Sequence, residues 1–201
     1  MTHPGATPGA PITPAEAVVI GASAGALDAL SAILPALPDR YPLPVFVVVH
    51  LPADKKSVMA DLFRAKCRVA VKEAEDKEPV AAGTVYFAPP DYHLLVEPDR
   101  RLSLSNEEPV LYSRPSIDVL FESAADAYGA GLVGVVLTGA SADGARGLKA
   151  VCEAGGTPVV QDPATAHSVA MPQAAIVACP GAAVLTLEQI AARLTQLGGA
   201  T

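Results

Sequence analysis

The stretch AVVIGASAGALDALSAIL, residues 17–34, has the pattern of a buried strand that turns through two glycines into a helix. A short apolar run comes first, and apolar residues then recur at helical spacing until Pro35. Further strand and helix pairs follow at 43–65, 132–155 and 157–178. This alternation predicts an α/β fold, a doubly wound, mostly parallel, Rossmann-like sheet with helices on both faces.

Two segments depart from this alternation. Residues 69–107 contain short alternating segments separated by turn residues, which predicts a β-rich insertion or an added antiparallel hairpin. Residues 1–15 are rich in Pro, Gly and Thr and have no periodicity, so we expect a disordered leader there. We expect one domain over residues 16–201.

Composition excludes several classes of protein. The formal net charge is −7, and no cluster of Lys and Arg interrupts it, so nucleic acid is not an expected ligand. Three widely spaced cysteines suit neither a disulfide framework nor a zinc site. Apolar runs such as VFVVV are too short for membrane insertion, and no signal peptide is recognisable. We therefore expect a cytoplasmic protein.

The turn after the first strand, Gly21 to Gly25, satisfies the pattern G-x-S-x-G between a strand and a helix. In that context Ser23 is a candidate nucleophile, held in a strained backbone conformation beside the free N–H groups of a helix N-terminus. Two other interpretations are an N-cap serine and a glycine-rich cradle for a phosphate or dinucleotide. The dinucleotide cradle is weaker, because Ser23 stands where its second glycine belongs.

A serine nucleophile needs a histidine base, and the sequence has four histidines. His50 and His167 each follow a predicted strand, at the sheet edge where doubly wound folds bind ligands. His93 belongs to the β-rich segment, where we expect it to serve a turn or hairpin, and His3 lies in the leader.

A carboxylate must orient the base, and Asp143 and Asp162 both follow predicted strands. For Asp143 the alternative is a helix N-cap. Two triads therefore compete, Ser23-His50-Asp143 and Ser23-Asp143-His167, and their spacing does not separate them.

Six stretches in register resemble one family, the catalytic domain of the chemotaxis protein-glutamate methylesterase, CheB. They cover roughly residues 17–180 and are VVIGASAGALDAL, VVVHLP, GTVYFAPPDYHLLVE, SRPSIDVLF, GVVLTGASADGARGL and VVQDPATAHSVAMPQAAI. The resemblance implies a doubly wound sheet with an added hairpin. It also implies that Ser23 is the nucleophile, His50 the base and Asp143 the orienting carboxylate.

The resemblance extends to the surroundings of the triad. It implies that backbone N–H groups of Ala24 and Ala140 receive the oxyanion, and we expect Arg114 at the rim of the site. Two departures from the family stand out: Ala26 replaces a usual glycine, and the loop 138–141 reads TGAS where the family has TGMG. Only 16 residues precede the first predicted strand, so we expect a stand-alone domain without the family's receiver domain.

The function that the resemblance implies is hydrolysis of glutamate γ-methyl esters on the cytoplasmic helices of a methyl-accepting chemoreceptor, with release of methanol. Deamidation of receptor glutamine is an implied second activity, and neither a metal nor an organic cofactor is expected. Two rival hypotheses are a non-enzymatic module that binds a receptor-like partner and a general hydrolase of small esters. Reaction of Ser23 with a fluorophosphonate would separate the enzymes from the binding module.

Overall fold

A computed structural model of the chain describes residues 14–50 and 58–198. Nine strands are present among these residues: β1 (Ala17–Ala22), β2 (Val45–Val49), β3 (Ala70–Glu73), β4 (Thr84–Phe87), β5 (His93–Val96), β6 (Leu102–Ser105), β7 (Leu132–Val136), β8 (Thr157–Gln161) and β9 (Ala183–Leu185). The α-helices are α1 (Ala26–Ile33), α2 (Met59–Arg64), α3 (Ile117–Tyr128), α4 (Ala145–Glu153), α5 (Ala170–Ala178) and α6 (Leu187–Leu197).

Seven strands form one sheet in the order β3-β4-β2-β1-β7-β8-β9, and every neighbouring pair is parallel. On one side of β1 lie β2, β4 and, at the edge, β3, and on the other side lie β7, β8 and β9. The strand order therefore reverses between β1 and β7. Open α/β sheets bind ligands in the crevice at the carboxyl ends of two such strands.

Both faces of the sheet are covered, as the apolar strands require. In β1 the side chains of Val18 and Ile20 pack in a core with α1, α2 and α6, whereas Val19 packs on the opposite face with α3, α4 and α5. Ala26 at the start of α1 is buried in the first of these cores. A methyl group is thus accommodated where the family usually has glycine.

The prediction for residues 69–107 was partly wrong. The strands β5 and β6 do form an antiparallel hairpin, but β3 and β4 extend the main sheet in parallel. They are four residues long, and no α-helix lies between them, so their pattern resembles that of hairpin strands. The three-residue edge strand β9 was missed because it is too short to show a period.

Two further predictions fall partly on residues outside those that the structure describes. The predicted leader lies outside the described residues, apart from residues 14 and 15. The helix expected at 56–65 is described as α2, which begins at Met59. Within the described residues, none of the helices has the length and apolar character needed to cross a bilayer.

Candidate active site

Ser23 lies at the carboxyl edge of the sheet, directly after β1. Its N–H donates a hydrogen bond to the carbonyl of Thr138, which follows β7, at 2.9 Å. On the opposite side of β1, Ala22 pairs with Val49 of β2. The N–H of His50 donates to the carbonyl of Ala22 at 3.2 Å. Ser23 and His50 are therefore the next residues along two adjacent parallel strands, whose backbones lie about 4.8 Å apart.

The turn that carries Ser23 obtains its shape from Gly25. Gly25 has a φ of +85° and is the N-cap of α1, whereas Ser23 is not among the residues with positive φ. The expectation of a strained serine was therefore wrong, because the glycine adopts the left-handed conformation instead. The N-cap interpretation of Ser23 was wrong for the same reason, since Gly25 occupies that position.

The histidine and the carboxylate of the first candidate triad are in contact. Nε2 of His50 lies 2.7 Å from Oδ2 of Asp143. Asp143 is completely buried, whereas 13% of the His50 side chain is exposed. A neutral imidazole that donates its Nε2–H to this carboxylate keeps the lone pair of Nδ1 as a proton acceptor.

The carboxylate of Asp143 lies at the N-terminus of α3. Its Oδ1 accepts hydrogen bonds from the hydroxyl of Ser116 at 2.8 Å and the N–H of Asp118 at 3.0 Å, and its Oδ2 accepts from the N–H of Ile117 at 2.7 Å. The N-cap of its own helix, α4, is Gly144 instead. Asp143 therefore accepts from the first turn of a neighbouring helix rather than capping α4.

These contacts determine the charge state of Asp143. Burial alone would raise its pKa, but the hydrogen bonds from His50, the N–H groups of Asp118 and Ile117, and the Ser116 hydroxyl outweigh burial and lower the pKa. Asp143 is thus an anion at neutral pH. It can hold the imidazole of His50 in one orientation and stabilise the imidazolium that forms when His50 accepts a proton.

A second carboxylate, Asp118, supports the loop that carries Asp143. Oδ1 of Asp118 accepts hydrogen bonds from the N–H of Gly144 at 2.9 Å and the N–H of Gly147 at 2.7 Å. Burial raises the pKa of Asp118, and the nearby negative charge of Asp143 raises it as well. The two hydrogen bonds lower the pKa but do not outweigh these effects. No sequence pattern distinguishes Asp118, since an acidic residue in the first turn of a helix has a common structural role.

Ser116, His93 and Asp143 form a second cluster with the composition of a triad. The Ser116 hydroxyl, however, donates directly to Asp143, while Nδ1 of His93 accepts from the backbone N–H of Ser116 at 3.1 Å. Both Ser116 and His93 are buried. A nucleophilic serine must pass its proton to a base, and this hydroxyl is bonded to the carboxylate instead of the imidazole. We interpret the cluster as a support for Asp143.

The predicted oxyanion donors lie in two loops that hydrogen bonds hold together. The Thr138 hydroxyl donates to the carbonyl of Ala24 at 2.7 Å, and the carbonyl and N–H of Gly139 bond to Met171 and Ser168. Within the described part of the chain, no hydrogen bond uses the N–H of Ala24 or Ala140. Both N–H groups are therefore without an acceptor among these residues, and their role as oxyanion donors stays a prediction.

Arg114 is held by two neighbouring loops. Its guanidinium donates to Oδ1 of Asp91 at 2.6 and 3.0 Å and to the carbonyls of Asn106 and Glu107 at 3.0 Å each. These contacts connect the segment before α3 to the loops on either side of the hairpin. A rim role for Arg114 stays a prediction.

The second candidate triad has no matching contacts. The side chain of His167 is exposed and lies beside the Ser23 turn, since a Cβ placed on Gly25 would be 2.6 Å from its Cβ. In the part of the chain that the structure describes, His167 makes no hydrogen bond to a carboxylate. Asp162 instead accepts from the N–H of Ala164 and caps a short 3₁₀ helix. Nor do the described residues include a group of three His, Cys, Asp or Glu side chains arranged to hold a metal ion.

The chain is similar to known proteins of one family. The CheB methylesterase family model matches residues 18–194. Two strains of Leptospira interrogans have a putative protein-glutamate methylesterase/protein-glutamine glutaminase that is 49% identical over 176 residues, covering 88% of this chain and 91% of theirs. A protein-glutamate methylesterase/protein-glutamine glutaminase of Archaeoglobus fulgidus is 41% identical over 79% of this chain but only 46% of its own length.

A solved structure gives the same result for the fold. The crystal structure of the Thermotoga maritima CheB methylesterase catalytic domain superimposes with a TM-score of 0.86 at 33% identity, covering 92% of this chain and 100% of that one. The chain therefore belongs to the CheB methylesterase family, the protein-glutamate methylesterases among the hydrolases of chemotaxis.

Proposed function

We propose that this chain hydrolyses glutamate γ-methyl esters on a methyl-accepting chemoreceptor, with Ser23, His50 and Asp143 as its catalytic triad. The observation that carries the proposal is the 2.7 Å contact between His50 and Asp143, made beside the end of the strand that bears Ser23. The family match supports the class of ester.

In the proposed reaction Ser23 and His50 act in two successive acyl transfers, while Asp143 orients His50. His50 accepts the proton of the Ser23 hydroxyl, and the oxygen attacks the carbonyl carbon of the ester. The tetrahedral intermediate collapses when His50 returns the proton to the departing methanol. Water, deprotonated by His50, then hydrolyses the glutamyl-serine ester, and free Ser23 and a glutamate carboxylate result.

The negative charge of both tetrahedral intermediates forms on the former carbonyl oxygen. We propose that the N–H groups of Ala24 and Ala140 donate to it. Both lie free of other acceptors among the described residues, and Ala24 directly follows the nucleophile. Such preorganised donors are worth a factor of about 10² to 10³ each in the rate of acyl transfer.

The proposed partner is the cytoplasmic helical region of the receptor, so we place the activity in the cytoplasm. Free Cys67, Cys152 and Cys179 suit a reducing compartment. With a net charge of −7 the chain gains no long-range attraction toward an acidic receptor. Recognition therefore has to come from short-range contacts near the site.

Deamidation of receptor glutamine is a second candidate activity at the same site. The names of the Leptospira and Archaeoglobus relatives combine methylesterase with protein-glutamine glutaminase. An amide would follow the same acyl-transfer steps, with His50 protonating the departing nitrogen so that ammonia leaves.

The test measures methanol release from a methylated chemoreceptor fragment, together with labelling of the chain by a fluorophosphonate. Ser23→Ala should abolish both, and His50→Ala should lower the turnover rate by several orders of magnitude while the fold persists. Ser116→Ala is the matched control and should keep the labelling. Labelling that survives Ser23→Ala and disappears with Ser116→Ala would overturn the assignment. Rapid turnover of p-nitrophenyl acetate with no methanol release would favour a general small-ester hydrolase instead.

A further inference from the structure

A tight turn just before α3 contains two residues that its geometry disfavours. Val110 and Ser113 exchange both backbone hydrogen bonds, at 3.1 and 2.9 Å, and leave Leu111 and Tyr112 at the tip. Their φ values are +48° and +64°, the left-handed pair that defines a type I′ turn. Asn and Gly are the favoured residues in this turn, and bulky side chains there are unusual.

Packing within the chain does not compensate for this choice of residues. Tyr112 is 103% exposed and Leu111 is 51% exposed, so the tip presents an aromatic ring and an aliphatic side chain to solvent. A backbone conformation that is costly and brings little buried surface in return is characteristic of functional segments.

The base of the turn is fixed. Arg114 bonds to Asp91 and to the carbonyls of Asn106 and Glu107, and Nε2 of His93 bonds to the carbonyl of Glu108 at 3.2 Å. The tip is therefore held in place before any partner arrives. A preorganised contact surface loses less conformational entropy on binding than a flexible one.

The turn lies close to the proposed catalytic site. The hydroxyl of Ser116 donates to Asp143, and four residues of extended chain, from Tyr112 to Ser116, span at most about 14 Å. A protein interface of ordinary size covers about 800 Å² on each partner. A protein substrate whose ester reaches Ser23 can therefore extend over this turn as well.

We propose that Leu111 and Tyr112 form a docking element for the methylated protein substrate, inserting against an apolar patch on the helix that carries the γ-methyl ester. The proposal rests on the function proposed above. Exposed aromatic residues are frequent among the side chains that dominate binding energy. The segment before the turn carries Glu107 and Glu108, so the matching patch on the partner is apolar with neutral or basic neighbours.

The test compares a protein substrate with a reagent that needs only the catalytic site. In the variant Leu111→Asn with Tyr112→Gly, both residues are replaced by those that a type I′ turn prefers, so its melting temperature should stay the same or rise by a few degrees. Tyr112→Ala keeps the backbone of the turn and removes only the ring. Val177→Ser is the matched control, because Val177 is 80% exposed and lies at the far end of α5, toward the opposite edge of the sheet.

For both turn variants we expect kcat/KM on a methylated chemoreceptor fragment to fall at least tenfold, while the fluorophosphonate labels Ser23 at the wild-type rate. Val177→Ser should change neither quantity. Unchanged turnover of the fragment, or an equal fall in turnover and labelling, would overturn the proposal. The proposal would also be overturned if a turn variant sedimented differently from wild type but turned over the fragment equally well. The turn would then join two copies of the chain. A wild-type chain that neither releases methanol nor reacts with the fluorophosphonate would instead refute the proposed function.

Discussion

The hydroxyl of Ser116 lies 2.8 Å from Oδ1 of Asp143 and donates a hydrogen bond to it inside the protein. With His50 and the N–H groups of Ile117 and Asp118, it completes the bonding of a fully buried carboxylate. A buried anion is stable only with such partners. The orientation of His50 therefore depends on the first turn of α3 as well as on Asp143 itself.

Ser116→Ala should move the pH profile of the enzyme without abolishing its activity. The hydroxyl stabilises the ionised form of Asp143, so its removal raises the pKa of that carboxyl toward the usual range. Activity requires the ionised form, and the acid limb of kcat/KM should therefore shift to higher pH. At neutral pH the carboxyl stays ionised in the variant, so we expect activity close to wild type there and a loss that grows as the pH falls toward the ordinary aspartate pKa of about 3.9.

The control for Ser116→Ala is Ser123→Ala, the same truncation at a half-buried hydroxyl of α3 that bonds to the carbonyls of Val119 and Leu120. It should leave the pH profile in place. A Ser116→Ala enzyme with a wild-type profile would show that the hydroxyl does not act on Asp143.

Asp118→Asn should leave the same limb in place. The amide oxygen can still accept from the N–H groups of Gly144 and Gly147, but the negative charge near Asp143 is removed. Asp143 titrates at a pH below the pKa of Asp118, where Asp118 is already neutral, so the pKa of Asp143 and the acid limb of kcat/KM should stay unchanged. A shift to higher pH would show that the variant disturbs the loop instead.

The stability of Asp118→Asn follows from the raised pKa of Asp118. The pKa of Asp118 is higher in the folded protein than in the unfolded chain, so protonation of this carboxyl stabilises the fold. That stabilisation is lost as the pH rises through the pKa of the folded state. Asparagine does not ionise, so at pH 7 the variant should be at least as stable as wild type in urea unfolding. Below the unfolded pKa of about 3.9 the difference should disappear, because both side chains are then neutral.

The sequence predicted the elements that carry the site better than the contacts within it. Periodicity predicts the strand before Ser23 and the helix after it, and register then brings Ser23 and His50 to adjacent strand ends. Spacing alone could not choose between His50 and His167 as base, since both follow strands. The resemblance favoured His50, which is the histidine that contacts Asp143.

Other features depend on contacts between distant segments. The bond from Ser116 to Asp143 joins residues that precede two different helices, α3 and α4, and neither residue signals it in a local pattern. The parallel pairing of β3 with β4 likewise depends on how the chain returns to the sheet. Strain at Ser23 was expected from the motif, but the structure places the left-handed backbone at Gly25.

Thr138 connects the two loops that carry the proposed oxyanion donors. Its hydroxyl donates to the carbonyl of Ala24 and accepts from the N–H of Ser168 at 2.9 Å. Thr138→Val keeps the volume but loses both bonds, which should cost about 1–3 kcal/mol in urea unfolding. The N–H of Ala24 should then be displaced, lowering kcat by about 10- to 100-fold. Thr138→Ser should restore most of kcat, and a Ser variant as slow as Val would exclude the hydroxyl as the cause.

Gly25→Ala should damage both the stability and the reactivity of the serine turn. The left-handed φ of +85° disfavours any side chain, and a Cβ at this position would lie 2.6 Å from the Cβ of His167. We expect a loss of about 1–3 kcal/mol in urea unfolding, together with slower fluorophosphonate labelling of Ser23 as the turn shifts. Gly181→Ala is the matched control, because a Cβ on Gly181 meets no atom within 4 Å. That variant should keep stability within about 0.5 kcal/mol and label at the wild-type rate, and equal behaviour of the two variants would contradict a special role for Gly25.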